Sequence, residues 1–158
     1  MKKHLWQGEW IDDAELDRRW GSLPGVLGRT QQEKLPLETV LAACQTYSET
    51  AGLDPEIAAF CRRSSLEAKV LREIGTLDLN DFVRTCHDQG IFEAWAPLGT
   101  IVHVTPGNAP GVSFLAVVEG LLAGNVNVLK RSNKDSDFAL KALESLIQAD
   151  ASGMVRKF

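Results

Sequence analysis

The stretch from Pro97 to Lys130, PLGTIVHVTPGNAPGVSFLAVVEGLLAGNVNVLK, constrains the fold more than any other part of the chain. Gly99 to Val104 is a short apolar run rich in β-branched residues, which suits a buried strand. Thr105 to Gly111 breaks it, because Pro106 and Pro110 remove backbone donors and Gly107 and Gly111 permit positive φ. From Phe114 to Leu122 the apolar residues cover most of a helical cylinder, the pattern of a helix buried against a sheet. Ala123-Gly124-Asn125 stops that helix with a left-handed cap at Gly124 or Asn125, and Val126 to Leu129 forms a second strand ending on Lys130. The result is one β-α-β unit. A crossover of this kind makes the two strands parallel and brings their carboxyl ends to one edge. Ligands of open α/β sheets bind outside that edge, here Thr105 to Gly111 and Lys130 to Asn133.

The rest of the chain reads as mainly helical. Leu5 to Ile11 alternates around Gln7-Gly8 and predicts a short hairpin. Asp12, with Glu15 three residues on, predicts a capped helix to Trp20. The tryptophans offer either an exposed contact surface or local packing, and packing is the simpler reading. Gly21 to Arg29, with three glycines and a proline, reads as a connecting loop. Leu37, Val40, Leu41, Cys44 and Tyr47 recur at helical spacing. Asp54-Pro55 caps and opens the next helix. Ser64 to Glu67 reads as a capping box for a helix that ends at Gly75, and Asp78 as the cap of a last short helix carrying Leu79, Phe82 and Val83. Ile91 to Trp95 looks extended, and a final helix is expected from Asp135 to Gln148. The expected organisation is a mainly helical region over 1–92, the start of a dinucleotide-binding domain over 93–150 and an unstructured tail over 151–158.

Composition narrows the function classes. The 158 residues carry a net charge of −4, so no basic stripe suggests nucleic acid. No apolar run is long enough to span a bilayer, and the first residues lack the apolar core of a signal peptide. Three cysteines do not make a disulfide framework and fit a cytoplasmic protein. Lone histidines offer no metal constellation.

The Pro-x-Gly start of the first strand, the Pro106-Gly107-Asn108-Ala109-Pro110 turn, and Ala123-Gly124-Asn125 before a strand ending in Lys130 resemble the amino-terminal half of the aldehyde dehydrogenase superfamily. Within it, His103, Gly107 and the Asn-Val-Asn of the second strand are most similar to the LuxC-type long-chain acyl-CoA reductases known from bacterial luminescence operons. The match runs from about Glu93 to Leu146. It implies an α/β fold: a helical amino-terminal region followed by part of a Rossmann-like, parallel β-α-β dinucleotide-binding domain. It also implies reduction of an acyl-CoA or acyl-protein thioester to a fatty aldehyde, through an acyl-cysteine whose cysteine lies beyond this chain. The chain alone is then expected to be inactive, and to associate with itself or with a catalytic half. The alternative is a binding module that keeps the half-fold without the chemistry.

The resemblance also gives residues roles. Asn108 falls on the superfamily's oxyanion-hole asparagine; an amide donor held there stabilises charge that exists only in the transition state. Thr105, Pro106 and Gly107 would shape the floor under the nicotinamide. Lys130 falls on the lysine that contacts the adenosine ribose, and Ser132 and Asn133 follow where many members have Ser-Glu. A neutral Asn133 lifts the repulsion of a 2′-phosphate and, with Ser132, Arg131 or Lys134, can donate to it, which points to NADPH. His103 is expected to be a neutral, hydrogen-bonded strand residue, Cys44 and Cys61 core residues, and the Cys86-His87-Asp88 trio unreactive, since neighbours in a helix do not face each other.

Overall fold

The computed structural model describes residues 3–50, 52–79, 82–86, 90–132 and 137–158. It opens with an antiparallel hairpin, β1 (Lys3–Trp6) and β2 (Glu9–Asp12), in which Trp6 faces Glu9 across a two-residue turn. Gln7 and Gly8 both have positive φ, 47° and 83°, which matches the right-handed strand twist. Asp12 then accepts from the Glu15 amide at 2.8 Å and caps α1 (Asp13–Trp20). Trp10 donates its indole N–H to Glu144 at 2.7 Å and pins the hairpin to the last helix. Trp20 stays exposed.

Three expectations fail in the helical region. Residues 21–29 are not a loop: Leu23–Thr30 forms α2, because Pro24 sits in its first turn, where the missing N–H costs nothing. The helix after α3 (Leu37–Ser48) and α4 (Pro55–Cys61) is α5 (Arg63–Ile74), and it begins before the Ser64 capping box. Ser65 instead donates back to the Ala59 carbonyl, and Glu67 is taken by Arg63 at 2.7 Å. The short helix expected after Asp78 is absent among the described residues: Leu79 and Phe82 are not helical, residues 80 and 81 lie outside the described residues, and β3 (Val83–Cys86) pairs antiparallel with β4 (Ile91–Glu93), with Phe82 exposed. Two other boundaries follow the sequence, while the expected start of the last helix at Asp135 lies outside the described residues. Asp54 accepts from the amides of Glu56 and Ile57 at the start of α4, and Gly75 closes α5 at φ 88°.

The parallel unit is formed as expected. β5 (Thr100–Val104) pairs in parallel with β6 (Val126–Lys130), joined by α6 (Pro110–Leu122). The helix starts four residues earlier than its apolar run because Pro110 occupies the first helical turn instead of breaking it. Mixed helix and parallel sheet make this an α/β protein. The strand pair is less buried than its sequence suggests: Val102 and Val104 are 62% and 72% exposed, since no described residue covers that side of β5.

The core lies on the other side. Leu41 and Tyr47 of α3, Leu66 of α5, Phe114 and Val118 of α6, and Leu146 of α7 (Phe138–Ala149) are buried together. Phe114 is fully buried, with its ring 5.3 Å from that of Tyr47. Helix α6 touches both strands and also α3 and α7, so it joins the helical layer to the sheet. Residues 151–158 are not an unstructured tail. Asp150 accepts from the Ser152 and Val155 amides, a 3-10 turn spans Val155–Lys157, and Val155 and Phe158 enter the core.

Candidate functional site at the strand rim

Two sequence motifs are stitched together at the base of the strands. The buried Asn125 side chain accepts from the Gly99 amide at 3.1 Å, and Gly99 returns its carbonyl to the Val126 amide at 2.8 Å. Gly99 holds φ 103° there and Gly124 φ 74°, conformations that ordinary side chains resist. This lock sets the register in which Val104 stands opposite Lys130, so both strands end at the same level.

At that edge the chain leaves β5 through Thr105-Pro106-Gly107-Asn108. The Thr105 amide donates to the Lys130 carbonyl at 3.4 Å, and its hydroxyl shares a 2.7 Å hydrogen bond with the buried Ser113 hydroxyl of α6. The start of the turn is thereby tied both to the neighbouring strand and to the helix. Gly107 is half-buried and Asn108 is exposed within the turn that precedes α6. Among the described residues the Asn108 amide has no side-chain hydrogen bond, so its donors are free for a ligand.

On the other strand, Lys130 is exposed and has no carboxylate partner among the described residues. Arg131 is drawn to Asp137 at 3.4 Å, and Ser132 is half-buried. Asn133 and Lys134 lie outside the described residues. The structure therefore brings Thr105, Pro106, Gly107, Asn108, Lys130 and Ser132 to one rim. An ammonium without a described carboxylate partner and an amide donor at strand ends are a donor set that fits an anionic, oxygen-rich ligand. Among the described residues no three His, Cys, Asp or Glu side chains converge as a metal site would require.

Under the rim runs a polar relay that the sequence did not foretell. His103 Nε2 lies 2.8 Å from Asn127 Oδ1, and the Asn127 amide donates to the Asn125 and Phe158 carbonyls. His103 is thus a half-buried, hydrogen-bonded strand residue. Helix α6 passes so close to Asn127 that a Cβ on Gly120 would stand 1.9 Å from its Oδ1. The visible trace of this contact was a glycine inside an apolar helix together with two asparagines in a strand.

The cysteines divide as their surroundings dictate. Cys44 and Cys61 are fully buried. The Cys61 side chain beside it, and then burial, push the Cys44 thiol far above the usual range, so it carries no nucleophilic thiolate. Burial also pushes the neighbouring Tyr47 hydroxyl up to about 12. His87 and Asp88, the neighbours of Cys86, lie outside the described residues.

Parallel strands joined by a helix, with an amide and an ammonium that have no side-chain partner among the described residues at their shared carboxyl edge, give the chain an α/β architecture. The family model for acyl-CoA reductase (LuxC) matches residues 28–158, most of the chain, and the chain belongs to that family. No curated protein and no solved structure matches it. No helix among the described residues is long and apolar enough to cross a membrane.

Proposed function

We propose that this chain forms the cofactor-facing and oxyanion-stabilising part of an NADPH-dependent acyl-CoA reductase that converts a long-chain acyl thioester to a fatty aldehyde. The observation that carries this reading is the Asn108 amide, without a side-chain partner among the described residues, at the rim of a parallel β-α-β unit in a chain of the acyl-CoA reductase family. Asn108 donates to the carbonyl oxygen as it turns negative during attack, and the tether of Thr105 to Ser113 and Lys130 keeps the turn from reorganising. Lys130 and Ser132 hold the adenosine end of the cofactor, and a neutral Asn133 in place of a carboxylate removes repulsion of its 2′-phosphate. Thr105, Pro106 and Gly107 form the floor below the nicotinamide. When bound, the nicotinamide supplies the hydride.

The attacking cysteine lies outside residues 1–158 in this reading. Its support is that Cys44 and Cys61 are sealed in the core. The segment that bears the nucleophile covers the exposed Val102 and Val104 side of β5.

The reading is tested in an active reductase that contains this sequence. Asn108→Ala should lower turnover about a hundredfold or more, as loss of an oxyanion donor does. Turnover within about threefold of the parent would remove Asn108 from the chemistry, since one lost donor is expected to cost far more. The cofactor assignment has its own test: Asn133→Glu should shift the NADPH-to-NADH affinity ratio towards NADH by about ten- to a hundredfold. An unchanged ratio at one salt concentration would detach the Lys130 to Asn133 edge from the ribose.

A further inference from the structure

Away from the rim, a cavity of about 390 Å³ opens between the β1–β2 turn, α1, α2 and the carboxy-terminal turn. Its charges are not balanced. Two acids line it, and both are already engaged: Glu9 is held by Arg19 at 2.8 Å and Glu33 by Lys157 at 2.6 Å. Two further cations line it without a carboxylate partner among the described residues, Arg29 of α2 and Arg156 of the terminal turn. They come from opposite ends of the chain, so the groove exists only in the folded protein.

Thr30 supplies the second observation. It is only 4% exposed, it lines the same cavity, and its hydroxyl has no hydrogen-bond partner among the described residues. A helical threonine ordinarily donates to a carbonyl one turn back. A buried hydroxyl left without that bond costs stability unless something else accepts from it. The half-buried Trp6 ring adds an apolar wall.

We propose that this groove is a phosphomonoester site, held by Arg29, Arg156 and the Thr30 hydroxyl. Two planar guanidinium forks and a hydroxyl donor match the three acceptor oxygens and double charge of a phosphomonoester, which a carboxylate cannot use in full. The cavity exceeds a bare phosphate and lies within the range of small-molecule pockets. The phosphate therefore comes either from a nucleotide whose base lies on Trp6 or from free inorganic phosphate. The site stands independently of the roles given to the rim.

The test is calorimetric titration of the chain with inorganic phosphate, adenosine 3′,5′-bisphosphate and adenosine at about 50 mM salt, where screening is modest. Saturable binding of a phosphate compound is expected, with adenosine silent. Arg29→Ala and Arg156→Ala should each weaken it about tenfold or more, and Thr30→Val by a few-fold. Arg72→Ala, which removes an exposed arginine paired with Glu73 on α5, should leave it unchanged. Tighter binding of the bisphosphate identifies a nucleotide as the source, and equal binding identifies inorganic phosphate; both uphold the site. If Thr30→Val unfolds early, the exposed Arg29→Gln carries the comparison. Absence of saturation with both phosphate compounds, or equal affinity in the parent and the Arg29 and Arg156 variants, overturns the proposal.

Discussion

Arg63 in α5 is held on one side by Glu38 of α3 and on the other by Glu67 of its own helix, whereas Lys130 at the end of β6 has no carboxylate partner among the described residues. The contrast extends to their surroundings. In the helical layer Lys69 joins Glu73 and reaches Glu119 of α6, and the two cysteines face each other in the core. At the rim an amide and an ammonium have no side-chain partner among the described residues, and they stand beside apolar strand residues that nothing described covers. Groups that answer one another within the chain serve the fold. Groups held in place by neighbours but left without partners have capacity for something outside it. Thr105 marks the boundary, since its hydroxyl and amide serve positioning while the side chain of Asn108, three residues on, has no hydrogen-bond partner among the described residues.

The sharpest break in this contrast is at Phe114. It is fully buried between the layers, so Phe114→Ala removes a large ring that α3 and α6 cannot close over. The expected loss is about 3–5 kcal/mol, read as a lower urea midpoint. Asn108→Ala, for all its expected effect on turnover, should leave that midpoint within about 0.5 kcal/mol, because the side chain is exposed and unbonded. A large stability loss at Asn108 would show that the rim is part of the fold's own bookkeeping and would erase the distinction.

A smaller effect is expected where the two regions meet. The Cβ of Gly120→Ala would stand 1.9 Å from Asn127 Oδ1, so helix and strand must part or the His103–Asn127 bond must break. Overpacking of this kind costs about 1–3 kcal/mol. In the Gly120→Ala, Asn127→Ala double variant the clash is gone, and the loss should fall well short of the sum of the single losses. Additive losses would mean that α6 yields without disturbing Asn127.

Much of this was legible in the residues. The parallel unit, the hairpin turn at Gln7-Gly8, the Asp12, Asp54 and Gly75 caps and the core face of α3 all follow from local chemistry that acts over a few residues. The misreadings came where a local rule met a distant partner. The glycines of α2 looked like a loop, but Pro24 starts a helix whose Thr30 is buried in the fold. The tail has no period, yet the Phe158 carbonyl accepts from the Asn127 amide on β6. The residues of the candidate rim were legible through the turn and strand motifs, but the roles of Asn125 and Asn127 were not. One sews Gly99 to the strand base and the other ties His103 to the chain's last residue, both across long sequence separations.

The tail offers the smallest and most specific test of what serves the fold. Asp150 accepts from the Ser152 amide and hydroxyl through one oxygen and from the Val155 amide through the other. Burial pushes its carboxyl up, but the Ser152 hydroxyl and the backbone amides of Val155, Ser152 and Met154 together outweigh that, and the net shift is downward. The folded value therefore lies below the unfolded one, near 3.9 for a free aspartate. The unfolded chain binds the proton more readily, so the contribution is complete above about pH 5 and is lost as pH falls through the unfolded and then the folded value. The parent should accordingly lose stability more steeply than Asp150→Asn between about pH 5 and pH 3, and match its slope above about pH 5. The effect is modest because water still reaches the half-buried carboxylate. The measurement is the urea midpoint of both proteins across that range. Since Glu15, Glu38 and Glu73 are also held low by arginine or lysine partners, only the difference between the two curves belongs to Asp150. Parallel curves would mean that the Val155–Phe158 segment is held by its apolar contacts, the Asn127–Phe158 hydrogen bonds and the Lys157–Glu33 pair, without help from Asp150.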